Sequence, residues 1–558
     1  MTFTGSWTYR CIALLASAAL SLAIMVAPAA AAEDPATWMY SPRTISEINL
    51  TLPPASWKTL EERPEDEYVP GTFSIAETNG LPGTAGASTT PIEVGVRLKG
   101  GELGSLRTLQ QKAAFKVKFD SFVKGQTFLG LKKLTLNNMV EDPSMVHEAA
   151  AYEAFRALGV PAPRTGFAFL RVNGESFGLH LNIETPDKIW LEKQFGPFLS
   201  PPQHLYEGEY GADVTKSRFE ELEVDEGKES SKSDLEALVA AVEEPTPSFS
   251  SAVGPLADLS EMARMWAAEK YVGQWDGYSG REGEKQPNNY YLYSDASGRF
   301  QMLPWGTDET WGEHVGFEAP GGILFNGCLG DPACEATYRQ ALATALPTLN
   351  ALNLDDSVRC TAERLLPWQQ LEAAEKSQAY PERVPFSAGQ IAAGVSSTRE
   401  FIADRPGELA SFLGVSPPSA PAAAPCPAPS QRREPPGTPG AAGTTGTPTP
   451  SPASPISTLR LERTRIGKRA VRLQLLIPAA GRITLYGWTG SGKRHADACP
   501  PARLGAVAAG AIELKCKLTD ALIRQLRERR LRLHLKVDFY PSVGAPQQLA
   551  HDVTLRQR

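Results

Sequence analysis

Four side chains in the stretch WDGYSGREGEKQPNNYYLYSDASGRFQMLPWGTDETWG, residues 275–312, have types and spacing that suit group-transfer chemistry. Asp276 stands on a polar loop, Asn288 and Asn289 precede an aromatic run, and Asp308 follows one hairpin later. A loop carboxylate can take the proton of an attacking hydroxyl. An amide oxygen and a second carboxylate can hold Mg²⁺ against nucleotide phosphates. Tyr290–Tyr293 and Arg299–Leu303 alternate around SDASG and are predicted to form the hairpin that separates the two metal-binding positions.

Such a site needs a phosphate-covering turn, a strand lysine, a helix carboxylate to hold that lysine, and a hinge. EVGVRL (93–98) alternates as a strand and runs into a turn bearing Gly100, Gly101, Gly104 and Ser105, whose backbone N–H groups can approach phosphates closely. In QKAAFKVKFDSF, Phe115, Val117 and Phe119 share one face and Lys116 and Lys118 the other. Either lysine can reach phosphates, and Lys116 is the first choice. LKKLTLNN reads as a strand. Asp142 or Ser144 then caps a helix over 145–158 that carries Glu148, with Gly159 and Pro161 ending it. Asn173-Gly174 is a hairpin turn, and the second strand of that hairpin ends at Glu184. The chain between Leu205 and Leu259 is acidic and poorly patterned, and reads as an insertion or a substrate-side element. A helix over 262–272 then delivers Asp276.

The order Asp, Asn, Asp is that of protein kinases, and the local sequence resembles the spore coat protein H (CotH)-like family of secreted, kinase-like proteins. The carriers are Asn289-Tyr-Tyr-Leu-Tyr293, Leu303-Pro-Trp-Gly-Thr-Asp-Glu-Thr-Trp-Gly312 and Glu184-Thr-Pro-Asp-Lys188. A strand like the family's K-S-x-K-I-K-F and a helix like its D-x-S-x-x-R-E, with His147 in place of Arg, add to them. The resemblance covers roughly residues 42–345. It implies an α+β fold with an atypical two-lobed kinase-like domain, lobes at about 42–185 and 186–415. It also implies ATP and Mg²⁺ (Mn²⁺ as substitute), and a protein Ser or Thr acceptor. Asp276 would be the catalytic base and Asn289 and Asp308 the metal ligands. Lys116 and Glu148 would clamp phosphates, and backbone near Glu184 would meet adenine. Two departures stand out. The Asp276–Asn289 gap is 13 residues, with GREGEK inserted, and the family's first W-D-x-D aspartate is Gly306 here. Loss of that carboxylate opens a second reading, a non-catalytic surface or coat protein on the same scaffold. A third keeps catalysis but transfers another group.

Around this domain the chain divides clearly. Arg10 precedes an apolar run, Cys11–Ala27, followed by Pro28 and four alanines, the pattern of a secretory signal over residues 1–32. No later run approaches the length of a membrane span, so a soluble, exported mature protein at the envelope or surface is expected. Residues 416–455 are dominated by Pro, Ala, Gly, Thr and Ser and read as a disordered linker. Residues 456–558 alternate as strands of a small β-sandwich, with one helix capped by Thr519 or Asp520. This last span has 20 Lys/Arg and 7 Asp/Glu, a net of +13, whereas the whole chain is −7, so residues 1–455 hold −20. The basic unit is suited to an anionic envelope polymer or lipid surface, or to its own acidic domain, and nucleic acid is not expected in an exported protein. Gly487–Arg494 imitates a P-loop, but Arg494 replaces the Mg²⁺-binding hydroxyl residue, so a hairpin turn is the better reading. The six cysteines beyond the signal suggest disulfides, with Cys328–Cys334 and Cys499–Cys516 the local pairs and Cys360–Cys426 remaining. No C-x-x-C or HExxH spacing favours zinc.

Overall fold

The computed structural model describes residues 34–428 and 459–555, apart from 42, 63–66, 101–105, 199–202, 209, 228–231, 281–286, 467–468, 478–480, 490–495, 508–509, 529–530 and 542–546. The signal-like segment, most of the Gly-rich turn (Gly101, Gly104, Ser105), nearly all of the GREGEK insertion and the linker from 429 lie outside these residues. The fold is mixed α and β.

Seven strands close a barrel in the order β1-β2-β3-β4-β5-β7-β6. They are β1 (Ile45–Thr51), β2 (Val69–Glu77), β3 (Ile92–Leu98), β4 (Phe115–Lys118), β5 (Lys133–Asn137), β6 (Thr165–Val172) and β7 (Glu175–Ile183). All pairings are antiparallel except β1 with β6. The alternation in β3, β4 and β5 turns Val96, Leu98, Phe115, Val117, Leu134 and Leu136 into the barrel core. The intervening Arg97, Lys116 and Lys118 are consequently left on the outer face. Helix α1 (Pro54–Glu62) lies against β2, and α2 (His147–Ala157) follows β5.

A second body begins with α3 (Lys188–Phe195). It is built on a four-stranded sheet, β11-β10-β8-β9, of β8 (His204–Gly208), β9 (Leu222–Glu226), β10 (Tyr290–Ser294) and β11 (Phe300–Pro304). Around it pack α4 (Ser233–Glu243), α5 (Phe249–Val253), α6 (Leu259–Val272), α7 (Ile323–Leu329), α8 (Pro332–Leu352), α9 (Leu354–Ala374) and α10 (Ala388–Leu413). The 205–259 stretch is therefore not an unpatterned insertion. It supplies β8, which pairs with β10, β9, which pairs with β8, and two helices. The strands escaped the reading because β9 is short and polar on its exposed positions. The outer faces of β6 and β7 (Phe167, Phe169, Leu181, Ile183) share one apolar core with α2 and α6, so barrel and second body are packed together.

A buried ion pair reinforces that packing. Lys112, just before β4, meets Glu372 of α9 at 2.7 Å, and both side chains are almost wholly out of solvent. Glu372 also accepts from the Leu179 N–H at 3.1 Å. Gly178 (φ +76) makes the approach feasible, since a Cβ there would lie 2.3 Å from the Glu372 carboxyl carbon. Arg383 extends the brace, donating to the Leu109 carbonyl at 2.8 and 3.1 Å and stacking 4.0 Å over Phe177.

The C-terminal residues form two further sheets. One is β12-β13-β16, of β12 (Arg460–Ile466), β13 (Ala470–Ile477) and β16 (Gly510–Lys517). The other is β15-β14-β17-β18, of β14 (Gly481–Thr489), β15 (Ala496–Val507), β17 (Leu531–Pro541) and β18 (Gln547–Leu555). They enclose a common core that also takes Leu522 of α11 (Asp520–Glu528). Three disulfides are formed, Cys328–Cys334, Cys360–Cys426 and Cys499–Cys516. The second holds the start of the linker on α9, where Asp356 accepts from Ala424 N–H and Arg359 donates to the Ala424 carbonyl. Residues 416–428 are thus pinned, not free. Among the described residues no helix is long and apolar enough to cross a membrane.

Glu372→Gln leaves the Lys112 ammonium buried without its counter-charge. A loss of about 3–5 kcal/mol is expected, read as a lower urea midpoint at unchanged slope.

Candidate active site

The loop that carries Asp276 is fixed by charges from the helix before it. Helix α6 is capped by Asp258, whose side chain accepts from Glu261 N–H, and ends at Gly273 in the left-handed conformation (φ +68). Near its end Glu269 and Lys270 are both buried. The Glu269 carboxylate turns back to accept from the N–H groups of Tyr278 (2.9 Å) and Ser279 (2.8 Å). The Lys270 ammonium donates to the carbonyls of Ser279 (3.0 Å), Gly280 (2.7 Å) and Ala319 (2.7 Å). Gly277 leaves room for this fold-back, because a Cβ there would stand 2.4 Å from a Glu269 oxygen. Arg405 of α10 donates to the carbonyls of Tyr271 (3.0 Å), Lys270 and Val315 (2.7 Å), which occupies free carbonyls at the helix end. Asp276 therefore projects from a braced turn.

The hairpin brings the asparagines to it. Asn289 Nδ2 donates to the Asp276 carboxylate at 2.8 Å, and Asn288 Nδ2 to the same oxygen at 3.1 Å. On the returning strand Trp305 N–H bonds to the Asn289 carbonyl at 3.1 Å, which sets Gly306 against the Asn289 amide. Gly306 adopts φ +52, and a Cβ there would be 2.4 Å from Asn289 Oδ1. Its carbonyl accepts from Gln274 Nε2 at 2.9 Å. At the position of the absent family aspartate the backbone is thus left-handed, and a side chain there would require the Asn289 amide to shift.

Asp308 comes next, nearly buried, and is tied to α2. The His147 ring Nδ1 lies 3.0 Å from the Asp308 carbonyl, and the Trp311 indole N–H donates to the His147 carbonyl at 3.0 Å. Asp142 accepts from the His147 N–H at 2.7 Å, but the residue at the N-cap of α2 is Val146, which has no capping side chain, so neither Asp142 nor Ser144 occupies the expected cap position. One residue beyond His147, Glu148 accepts from Asn137 Nδ2 at 2.7 Å. Burial, then the Asp308 charge, push the Glu148 carboxyl up to about 8, against the pull of Lys99. Lys99 itself reaches Asn137 Oδ1 at 3.5 Å. Glu141 is raised by burial and by Asp308, Glu309 and Asp276, which brings it electrostatically into the same group, with Arg107 opposing.

Among the remaining expected residues, Gly100 follows β3 beside Lys99, in open space. Lys116 faces the second body, and the charges that weigh most on it are Glu207 of β8, its neighbour Arg97 on β3, and Asp225 of β9. The cation acting on Glu148 is Lys99, so the expected Lys116–Glu148 partnership gives way to one at the end of the preceding strand. Strand alternation put Lys116 on the correct face but could not say which carboxylate lies opposite. Lys118 stands 5.7 Å over the Tyr68 ring. Glu184 is held by the Arg164 guanidinium at 2.6 and 2.8 Å, and Asp187 caps α3. Glu141, Lys99, Glu269 and Lys270 were missed. A Glu-Lys pair inside an apolar helix was a readable signal for the last two, whereas the first two needed the fold. Of the P-loop imitation, Gly487–Thr489 end strand β14, with Gly487 packed against the Cys499 and Cys516 sulfurs, and residues 490–494, where the hairpin turn is expected, lie outside the described residues.

Among the described residues no three His, Cys, Asp or Glu side chains converge as a metal cage. Asn289 Oδ1 and the Asp308 carboxylate are oxygen donors of the kind Mg²⁺ takes in small number, with phosphate and water completing its shell. The donor chemistry fits.

Comparison with known proteins decides the family. The model for "CotH kinase protein" matches residues 96–409, more than half of the chain. The chain belongs to the CotH kinase protein family. Inner spore coat protein H of Bacillus subtilis (strain 168) is 24% identical over 276 residues, 46% of this chain and 74% of the relative. The inner spore coat protein H-like protein of the same organism is 35% identical over 78 residues, 14% of this chain and 24% of the relative. The CotH match takes in Lys99, Lys116, Glu141, Glu148, Asp276, Asn289 and Asp308, and stops before the C-terminal sheets.

Two outcomes are expected. Restoring the family carboxylate by Gly306→Asp forces a side chain into a left-handed position against Asn289 and lowers stability by about 1–3 kcal/mol, measurable by thermal or urea unfolding. For Glu148, the folded carboxyl at about 8 exceeds its ordinary value of 4.5, so the native state holds the extra proton. Stability from this group is therefore lost as pH rises from 4.5 to 8. The melting temperature of Glu148→Gln should fall less over that interval than the wild-type value.

Proposed function

We propose that the protein is a secreted, atypical protein kinase-like phosphotransferase that moves phosphate from ATP to Ser or Thr of an extracytoplasmic or surface protein. The observation that carries this reading is the hydrogen-bonded set Asp276–Asn288–Asn289, followed by an Asp308 whose charge, with that of Lys99, acts on Glu148 of α2. The barrel with α2 plays the part of an N-terminal lobe, and the second body that of a C-terminal lobe. Asp276 orients the acceptor hydroxyl and takes its proton, and the Asn288 and Asn289 amides hold that carboxylate in place. Asn289 Oδ1 and Asp308 would hold Mg²⁺, which when bound neutralises charge on the phosphates. Lys99, with Lys116 further along the barrel face, supplies positive charge for the phosphates. Glu148 sets the position of Lys99 through Asn137. We assign the backbone following Glu184 to the adenine end and the Gly-rich sequence 100–105 to the phosphates. Export through the N-terminal signal accords with the disulfides. The C-terminal β-sandwich serves as a basic anchor on an anionic envelope polymer.

Gly306 favours a second reading, a catalytically weak or dead pseudokinase that acts as a surface or coat structural protein. Labelled-ATP transfer and thermal shift with ATP·Mg²⁺ separate the two. The first reading expects a shift, and expects Asp276→Asn to cut transfer by at least about 10²-fold with nucleotide binding kept. Asp308→Asn should abolish the Mg²⁺-dependent part of the shift. Full transfer by Asp276→Asn would refute the assignment, and absence of any shift would select the pseudokinase.

A further inference from the structure

The four-stranded C-terminal sheet turns its apolar residues inward and an aromatic and cationic set outward. In β14, Ile483 and Leu485 are buried, which leaves Tyr486 and Trp488 on the other side of the strand. In β17, Leu533, Leu535 and Val537 are buried, which leaves Arg532, His534 and Lys536 outward. The register aligns these sets. Tyr486 is opposite Lys536 and Trp488 opposite His534. The Trp488 and His534 rings stack at 5.8 Å with an interplanar angle of 25°, and Lys536 Nζ lies 6.0 Å from the Tyr486 ring. Asp552 of β18 is the acid beside them. It accepts from His534 Nδ1 and from Arg532, both at 2.7 Å. Behind the face, Gly487 points between the Cys499 and Cys516 sulfurs, so the disulfide backs the strand that carries both aromatics.

We propose that this face is a binding platform for a polysaccharide of anionic sugars. This rests on the reading of the C-terminal unit as an envelope anchor, and adds to it where the polymer sits and why it is a glycan. Side chains two apart on one strand lie about 7 Å apart, so Tyr486 and Trp488 form a short flat row. Apolar ring faces of that kind suit sugar rings, whose C–H faces stack on aromatics, while Lys536 and Arg532 offer charge to carboxylate or phosphate substituents. Charge complementarity selects the anionic class. The unit from 456 onward carries +13 and the rest of the chain −20. A polyanion is therefore attracted to this unit and repelled by the body that holds the candidate active site. The Pro/Ala/Gly/Thr-rich segment between them has the composition of a spacer that lets one part hold a polymer while the other works.

The test is binding of the full chain to polygalacturonate, to a neutral β-glucan of similar length and to oligo(dT), by co-sedimentation or calorimetry at low salt. Polygalacturonate should bind best, and Tyr486→Ala/Trp488→Ala should weaken it at least tenfold with an unchanged circular dichroism spectrum. Arg472→Glu/Lys515→Glu, on the other sheet, should change it less than threefold. No polygalacturonate binding by the wild type overturns both the platform and the anchor reading. Full binding by the aromatic variant, with loss in the other-sheet variant, overturns the platform and leaves the anchor. Preference for oligo(dT), or equal affinity for the neutral glucan, overturns the anionic-glycan assignment. If the aromatic variant loses its folded spectrum, Trp488→Phe decides. Retained binding supports the ring-face platform, and loss equal to that of the alanine variant overturns it.

Discussion

Two adjacent charges, Glu269 and Lys270, sit inside the otherwise apolar end of α6, and the arrangement of the candidate active site depends on them. Burying charge is costly unless every donor and acceptor is met. Here the carboxylate takes two backbone N–H groups and the ammonium takes three carbonyls, all from the chain that leaves the helix or from the loop facing it. The loop cannot move away without leaving those charges unmet. Asp276 stands in that loop, the asparagines are hydrogen-bonded to Asp276, and Gly306 packs on Asn289. The position of each group is thus passed on from the one before.

The same principle links the two bodies. The Lys112–Glu372 pair crosses from barrel to α9, and it is possible only because Gly178 lacks a Cβ at the point of approach. His147 connects α2 to the Asp308 loop through one ring nitrogen and one carbonyl. Glu148, the next residue, accepts from Asn137 at the end of β5 and is acted on by the Asp308 charge. Its raised pKa follows from burial next to Asp308, a cost that a structure built for packing alone would avoid.

Gly306 shows why a missing residue must be read in its surroundings. By sequence it is a lost carboxylate. In the fold it is a left-handed residue in contact with Asn289, so the loss is built into the hairpin, and the oxygen donors left nearby are Asn289 Oδ1 and Asp308.

Much of the fold was legible because alternation and capping are local. EVGVRL, FKVK and KLTLN each declare a strand by their inward residues, and Gly159 closes the stretch that holds α2, although the helix begins at His147 without the expected side-chain cap. The order of Asp276, Asn289 and Asp308, with the hairpin between the last two, is likewise written in the chain and carries the family resemblance. Local pattern cannot say which distant groups meet. It assigned Glu148 a lysine on β4, whereas closure of the barrel and packing of α2 brought Lys99 to it. It left β8 and β9 unseen, since such short strands become recognisable only when β8 pairs with β10 and β9 with β8. It could not foresee that Glu269 and Lys270 turn back upon their own loop. The residues alone determined which chemistry was available and in what order. The tertiary structure decided which charges face one another, because contacts between residues far apart in sequence depend on packing that no local period encodes.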